Sequence, residues 1–219
     1  MKTIHQTENS SIKLSACKQF VLKKQRNARN EIRVLEYINH PRIIKIIDWK
    51  REDDIFCVKF PFYPRGDLFD AIHKHPSRLP PPIHVAHQLL DIVSHLHKCD
   101  VAHMDIKPEN ILLDHHGGIL LIDFNLACFT SEYKEGTVKG TPEFFPPEVI
   151  ARKKERCPKK QDMWCVGMVL YEILFHRILI NYAMIDGCSC PVMKRLLIGC
   201  LAQDASERLT ALEAQDMLK

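Results

Sequence analysis

Residues 103–110 read His-Met-Asp-Ile-Lys-Pro-Glu-Asn, and Asp123-Phe124-Asn125 begins thirteen residues after Asn110. Between the two runs, residues 111–113 and 119–122 are apolar and flank Asp114-His115-His116-Gly117-Gly118, the composition of a hairpin. These residue types in this order suit phosphoryl transfer. The carboxylate of Asp105 can accept the proton of a substrate hydroxyl. Lys107, two residues on, can neutralise a moving phosphoryl group. The amide of Asn110 and the carboxylate of Asp123 can hold magnesium. The reaction asks the protein for positioning and charge neutralisation rather than for covalent chemistry.

The rest of the chain reads as a few strands, a break, and then mostly helix. Residues 12–22 carry β-forming types and predict one or two strands. Ile32, Leu35 and Ile38 fall at helical spacing and predict a helix over 27–38, which His40-Pro41 ends. Residues 43–49 and 55–60 predict a strand pair around a polar turn at 50–54. Pro61 and Pro64 break that pattern, and Gly66-Asp67 precedes a short helix. Val85, Leu89, Ile92, Val93 and Leu96 form a helical stripe over 82–97, and three more helices are predicted over 161–175, 191–201 and 210–218. Residues 126–147 have little regular pattern, and segments that long are usually functional. The expected class is α+β, with two lobes and a cleft between them.

Composition narrows the function without choosing it. At 219 residues the chain can bury one core or two small lobes. The formal charge of +4 is spread along the sequence and gives no reason to expect nucleic acid. No stretch reaches the apolar length of a membrane span, and residues 1–6 lack the apolar core of a signal peptide, so no membrane partner is expected. Nine cysteines, an odd number at irregular spacing, argue against a disulfide framework and for the reducing cytoplasm or nucleus. Cys188-Ser189-Cys190 reads as reduced thiols in a loop, because no second pair of ligands has zinc spacing.

From about residue 12 onward the chain resembles the eukaryotic-type protein kinases. The resemblance rests on His103-Met104-Asp105, Lys107 to Asn110, Asp123-Phe124-Asn125, Gly140-Thr141-Pro142-Glu143, Pro146-Pro147-Glu148, Asp162-Met163-Trp164 with Gly167, and Arg208, in the family's order and near its spacing. It implies a single kinase domain over 1–219: a reduced β-rich N-lobe (1–60), a hinge (61–67) and a mainly helical C-lobe (68–219). It also implies ATP and Mg²⁺, with the ATP γ-phosphoryl going to protein hydroxyls. Asp105 would be the catalytic base, Lys107 would contact the γ-phosphate, and Asn110 and Asp123 would bind Mg²⁺. Glu31 would pair with a strand lysine that holds the α- and β-phosphates. That lysine is either Lys18 or Lys23; Lys18 is preferred because Lys23 leaves only eight residues to reach Glu31. Phe60 would close the back of the adenine site, the Pro61 carbonyl and the Tyr63 N–H would take adenine, Asp67 the ribose, and Leu112 the adenine floor. Glu148 would pair with Arg208, and Asp162 would anchor the catalytic loop. Lys107 with Thr141 favours Ser/Thr substrates, and Glu109 a basic one.

Several positions depart from the family pattern. No glycine precedes Gly66, so the glycine-rich phosphate loop is expected to be missing and the N-terminus too short to build the first strand and that loop. Met104 stands where the family has an arginine that clamps a phosphorylated activation loop, which implies independence from modification of Thr130, Ser131, Tyr133 or Thr137. Asn125 replaces a glycine; asparagine tolerates left-handed dihedrals better than most residues. A substrate-docking helix after Phe175 is expected to be trimmed or lost. The compaction, the Pro-x-Tyr hinge and Leu126-Ala127-Cys128-Phe129 resemble virus-encoded kinases, herpesviral ones in particular, which would act in the cytoplasm or nucleus of a host cell. The alternative function is a catalytically weak or silent kinase-like decoy that binds a host kinase or its substrate.

Overall fold

Alternation along residues 55–61 builds the smaller lobe. In strand β4 (Ile55–Pro61), Phe56, Val58 and Phe60 turn inward at period two. In this computed structural model, which describes residues 2–5, 15–20, 25–53, 55–179 and 182–219, β4 lies between β2 (Ser15–Phe20) and β3 (Asp48–Glu52). An outer strand β1 (Lys2–His5) pairs with β2, so the described sheet runs β1-β2-β4-β3, antiparallel throughout. Helix α1 (Gln25–Tyr37) lays Ala28 and Ile32 on its inner face, and with Ile44 these residues form a small core.

Two expectations for this lobe are corrected. A strand does form at Lys2–His5, in register with Ser15–Lys18. The strand predicted over 43–49 begins only at Asp48 and continues through Glu52, into the predicted turn. Ile43 and Ile44 are buried, but the Ile44 N–H donates to the Leu121 carbonyl at 3.1 Å and Ile43 bridges Leu121. Their apolarity serves the junction with the larger lobe rather than a sheet face.

The larger lobe is helical. Its elements are α2 (Leu68–His73), α3 (Pro82–Lys98), α4 (Pro147–Ile150), α5 (Pro158–Phe175), α6 (Pro191–Cys200) and α7 (Ala211–Asp216). The expected α3 stripe is fully buried, and α5 is buried on nearly every side. Gly167 lets α5 approach the end of α6: a Cβ there would sit 2.7 Å from Leu201. The hairpin β6 (Ile111–Leu113) and β7 (Ile119–Leu121) forms as predicted, in register Leu112↔Leu120. The segment after it is less irregular than expected, because β8 (Cys128–Phe129) pairs with β5 (Val101–Ala102). Between α5 and α6 the described residues contain the 3-10 helix Tyr182–Gly187. Among the described residues, no helix is long and apolar enough to cross a membrane.

Glu172 on α5 is buried and takes a 2.7 Å contact from His73 on α2. Burial raises its carboxyl above the usual range, against the pull of His73. The folded chain therefore keeps this proton to higher pH than the unfolded chain does. The group's contribution to stability is complete below the ordinary glutamate range and is lost as pH rises through the raised value. Glu172→Gln is expected to flatten that fall in Tm just above the ordinary range, read from melting curves across pH.

Candidate active site

The site is assembled where the small sheet meets the β6–β7 hairpin. Lys18 projects from β2 and its Nζ lies 3.0 and 2.9 Å from the two carboxylate oxygens of Glu31 on α1. The same Nζ donates to Asp123 Oδ1 at 2.7 Å. Glu31 is 1 % exposed, and burial raises its carboxyl above the usual range while Lys18 pulls it back. Its Oε1 also accepts from the Phe124 N–H at 3.1 Å. One lysine thus ties β2, α1 and the Asp123 turn together. The other strand-lysine candidate, Lys23, lies outside the described residues.

The Asp105 loop is held from below. Asp162 on α5 is fully buried and accepts from the backbone N–H groups of His103 and Met104, each at 2.8 Å. His97 on α3 contacts Asp162 at 3.1 Å, a partner the sequence did not point to. His103 Nε2 lies 3.0 Å from the Ile122 carbonyl, and its ring meets Phe124 edge-on. Residues 103 and 124 therefore lock the two motifs to each other.

Around Asp105 the polar groups form a chain. Asn110 Nδ2 donates to the Asp105 carbonyl at 2.8 Å and to Oδ2 at 3.1 Å. Thr141 donates to Asp105 Oδ1 at 2.7 Å and accepts from Lys107 Nζ at 2.7 Å. Thr141 reaches this point because Gly140 adopts φ +111°, and a Cβ on Gly140 would sit 2.7 Å from the Met104 carbonyl oxygen. Gly140→Ala is therefore expected to cost about 1 kcal/mol or more and to lower turnover by roughly tenfold, read from Tm and from kcat.

The remaining expected residues line the junction. Leu112 is half-buried between buried Ile111 and Leu113, so it faces away from the helical core. Asp67 bridges Leu112, and its Oδ1 caps α2 by accepting from the Asp70 N–H at 2.9 Å. Phe60 and Tyr63 pack in the small core, with Pro61 ending β4 between them. Burial raises the Tyr63 hydroxyl's pKa.

The left-handed dihedral expected of Asn125 belongs instead to Asp123, at φ 66°. Asn125 sits inside the turn Phe124–Leu126, which needs ordinary right-handed geometry. Met104 packs with Ala102 and Cys128, against Leu126 and Tyr133, so an apolar cluster fills the place expected for a phosphate clamp. Among the described side chains, Cys57 departs from the reduced-thiol expectation, being disulfide-bonded. Cys188 and Cys190 are free thiols, and burial pushes the Cys128 thiol up to about 11 and Cys200 to about 12, so neither is a nucleophile near neutral pH.

The donors offered for a metal are the Asp123 carboxylate and the Asn110 amide oxygen, the Asn110 nitrogen being committed to Asp105. Two hard oxygen donors fit magnesium, which binds one or two carboxylates plus substrate phosphates rather than an all-protein cage.

A protein kinase domain model matches residues 1–218. The chain is 40% identical over 158 residues to a probable myosin light chain kinase of Dictyostelium discoideum, covering 67% of this chain and 31% of that one. It is 35% identical over 156 residues to a cAMP-dependent protein kinase catalytic subunit of Mus musculus, covering 70% and 42%. It is 31% identical over 208 residues to protein kinase 2 of Dictyostelium discoideum, covering 86% and 43%. The chain thus spans less than half the length of these curated relatives.

Proposed function

The chain belongs to the protein kinase family, and from that premise we propose that it moves the γ-phosphoryl group of Mg-ATP to serine or threonine hydroxyls of proteins. The observation that carries this reading is the chain Lys107–Thr141–Asp105 beside the Lys18–Glu31–Asp123 bridge. In the reaction Asp105 accepts the hydroxyl proton while the hydroxyl oxygen bonds to the γ-phosphorus and ADP leaves with the bridging oxygen. Lys107 offsets charge on the transferring group, and Lys18 offsets charge on the α- and β-phosphates while Glu31 fixes its direction. Asp123 and Asn110 would hold magnesium, which would supply further neutralisation of phosphate charge. Pro61 and Tyr63 take the adenine through main-chain groups, Asp67 takes the ribose, and Leu112 forms the floor. Glu109 is exposed beside the catalytic loop and favours a basic protein substrate.

One observation favours a second reading. Residues 1–65 contain no glycine, the residue type that lets backbone approach phosphates closely, and a decoy that occupies another kinase or its substrate without turnover would not need one there. Incubation with γ-labelled Mg-ATP and peptides carrying one serine, threonine or tyrosine separates the two. Label on serine or threonine, lost in Asp105→Ala, is the expected result. Label on tyrosine alone contradicts the Ser/Thr assignment, and no label on any peptide supports the decoy.

A further inference from the structure

Helix α1 carries Glu31, and what fixes its orientation fixes the Lys18 bridge. Three of its side chains, Asn30, Arg33 and Tyr37, are spaced i, i+3, i+7 and share one face. All three contact the segment after Asp123. Asn30 Nδ2 donates to the Ala127 carbonyl at 2.7 Å. Arg33 forms a two-pronged pair with Glu132, at 3.0 and 2.6 Å, and its guanidinium lies 4.6 Å over the Phe129 ring. Tyr37 meets Phe129 edge-on at 5.1 Å.

The far side of the segment is tied to the large lobe. β8 pairs with β5, the Thr130 N–H donates to the Asp100 carbonyl at 2.8 Å, and the Thr130 hydroxyl reaches the Asp100 carboxylate, which Lys159 also contacts at 2.9 Å. The segment therefore stands between α1 and the large lobe, with Phe129 and Glu132 turned towards α1 and Thr130 towards Asp100. Met104, buried in its apolar cluster, offers no cation to a phosphate here.

We propose that Arg33, Phe129 and Glu132 are positioning residues that hold α1 with Glu31 directed at Lys18, so that the unmodified chain is already in its working arrangement. This rests on the kinase reading for its consequence in turnover, and on geometry alone for the coupling between α1 and the segment. Glu132 is a carboxylate as translated, so the pair with Arg33 forms without phosphorylation. An exposed ion pair alone contributes little; the shared Phe129 ring and the Asn30 bond make the contact a three-point one.

The test uses the full chain in four forms: wild type, Arg33→Glu, Glu132→Arg and the double exchange. Amide hydrogen exchange of residues 25–37, with α5 as internal reference, reads the coupling whether or not the chain turns over. Each single reversal is expected to speed exchange in α1 by about three- to tenfold and to lower kcat by a similar factor, with the KM for peptide unchanged. The double exchange is expected to bring both within about twofold of wild type, a rescue that general destabilisation would not give. Phosphatase treatment of wild type, or Ser131→Ala, is expected to leave kcat within about twofold. Unaltered α1 exchange in the single variants, a double exchange no better than either single, or a tenfold loss on phosphatase treatment overturns the proposal. A wild-type chain without transfer activity would fail the kinase reading, and the exchange measurement would still decide the coupling.

Discussion

Asp105→Asn is expected to lower kcat by about 10³-fold or more while the KM for ATP stays within a few-fold. The two side chains have the same shape, and the amide oxygen can still accept from Asn110 or Thr141. What is lost is a group that takes a proton. The Asp105 backbone is fixed independently of its carboxylate, through the Asp162 bonds to the residues on its N-terminal side and the Asn110 bond to its own carbonyl. The loop should therefore keep its place, and the defect should fall on the chemical step. A matching rise in KM for ATP would instead assign Asp105 to nucleotide binding. The measurement is steady-state kinetics at saturating peptide, with the melting temperature as a check on folding.

The second large effect concerns stability. Arg208→Met is expected to cost about 3–5 kcal/mol, a fall in Tm of roughly 6–20 °C. Arg208 is 1 % exposed, and all five of its N–H groups have partners. Two go to the Glu148 carboxylate at 2.8 and 2.9 Å, one to the Lys160 carbonyl at 2.7 Å, and two to the Ala202 carbonyl at 3.2 Å. Its guanidinium also lies 5.1 Å over the Trp164 ring. Removing it leaves Glu148, 4 % exposed, as a buried carboxylate without its counter-charge. That orphaned charge, more than the lost attraction, sets the size of the effect. Arg208→Lys should recover little, because an ammonium cannot fill a planar fork of five donors. Removing both charges together, as Glu148→Leu with Arg208→Met, should cost clearly less than Arg208→Met alone. Equal costs would place the effect in packing around Trp164.

How far the sequence could be read depended on where each residue's partner lay. The α3 stripe and the β6–β7 hairpin were legible because their periodicities are local. The Asp105, Asn110 and Asp123 positions were legible because their spacing is short. Ile43 and Ile44 misled because burial at a junction between lobes carries no period of its own; their partner, Leu121, is more than seventy residues away. The choice between Lys18 and Lys23 stayed open in sequence, since both follow plausible strand residues. The described residues put Lys18 on Glu31 and Asp123. Asn30 and His97 gave no signal at all, each being one polar residue on an otherwise ordinary helix. The left-handed residue was sought at Asn125 because asparagine tolerates it, yet the chain places it on Asp123, where the turn demands it.

Side chains from β2, α1, the Asp105 loop and the Asp123 turn are expected to act on one magnesium–nucleotide complex. Calorimetric titration of ATP, with magnesium and with magnesium chelated, into wild type, Lys18→Met and Asp123→Asn tests it directly. Wild type should bind one equivalent, at least about tenfold tighter with magnesium than without. Asp123→Asn should lose that magnesium dependence, and Lys18→Met should bind more weakly in both conditions. Binding that is the same with and without magnesium, and the same in all three proteins, would contradict a shared magnesium–nucleotide site.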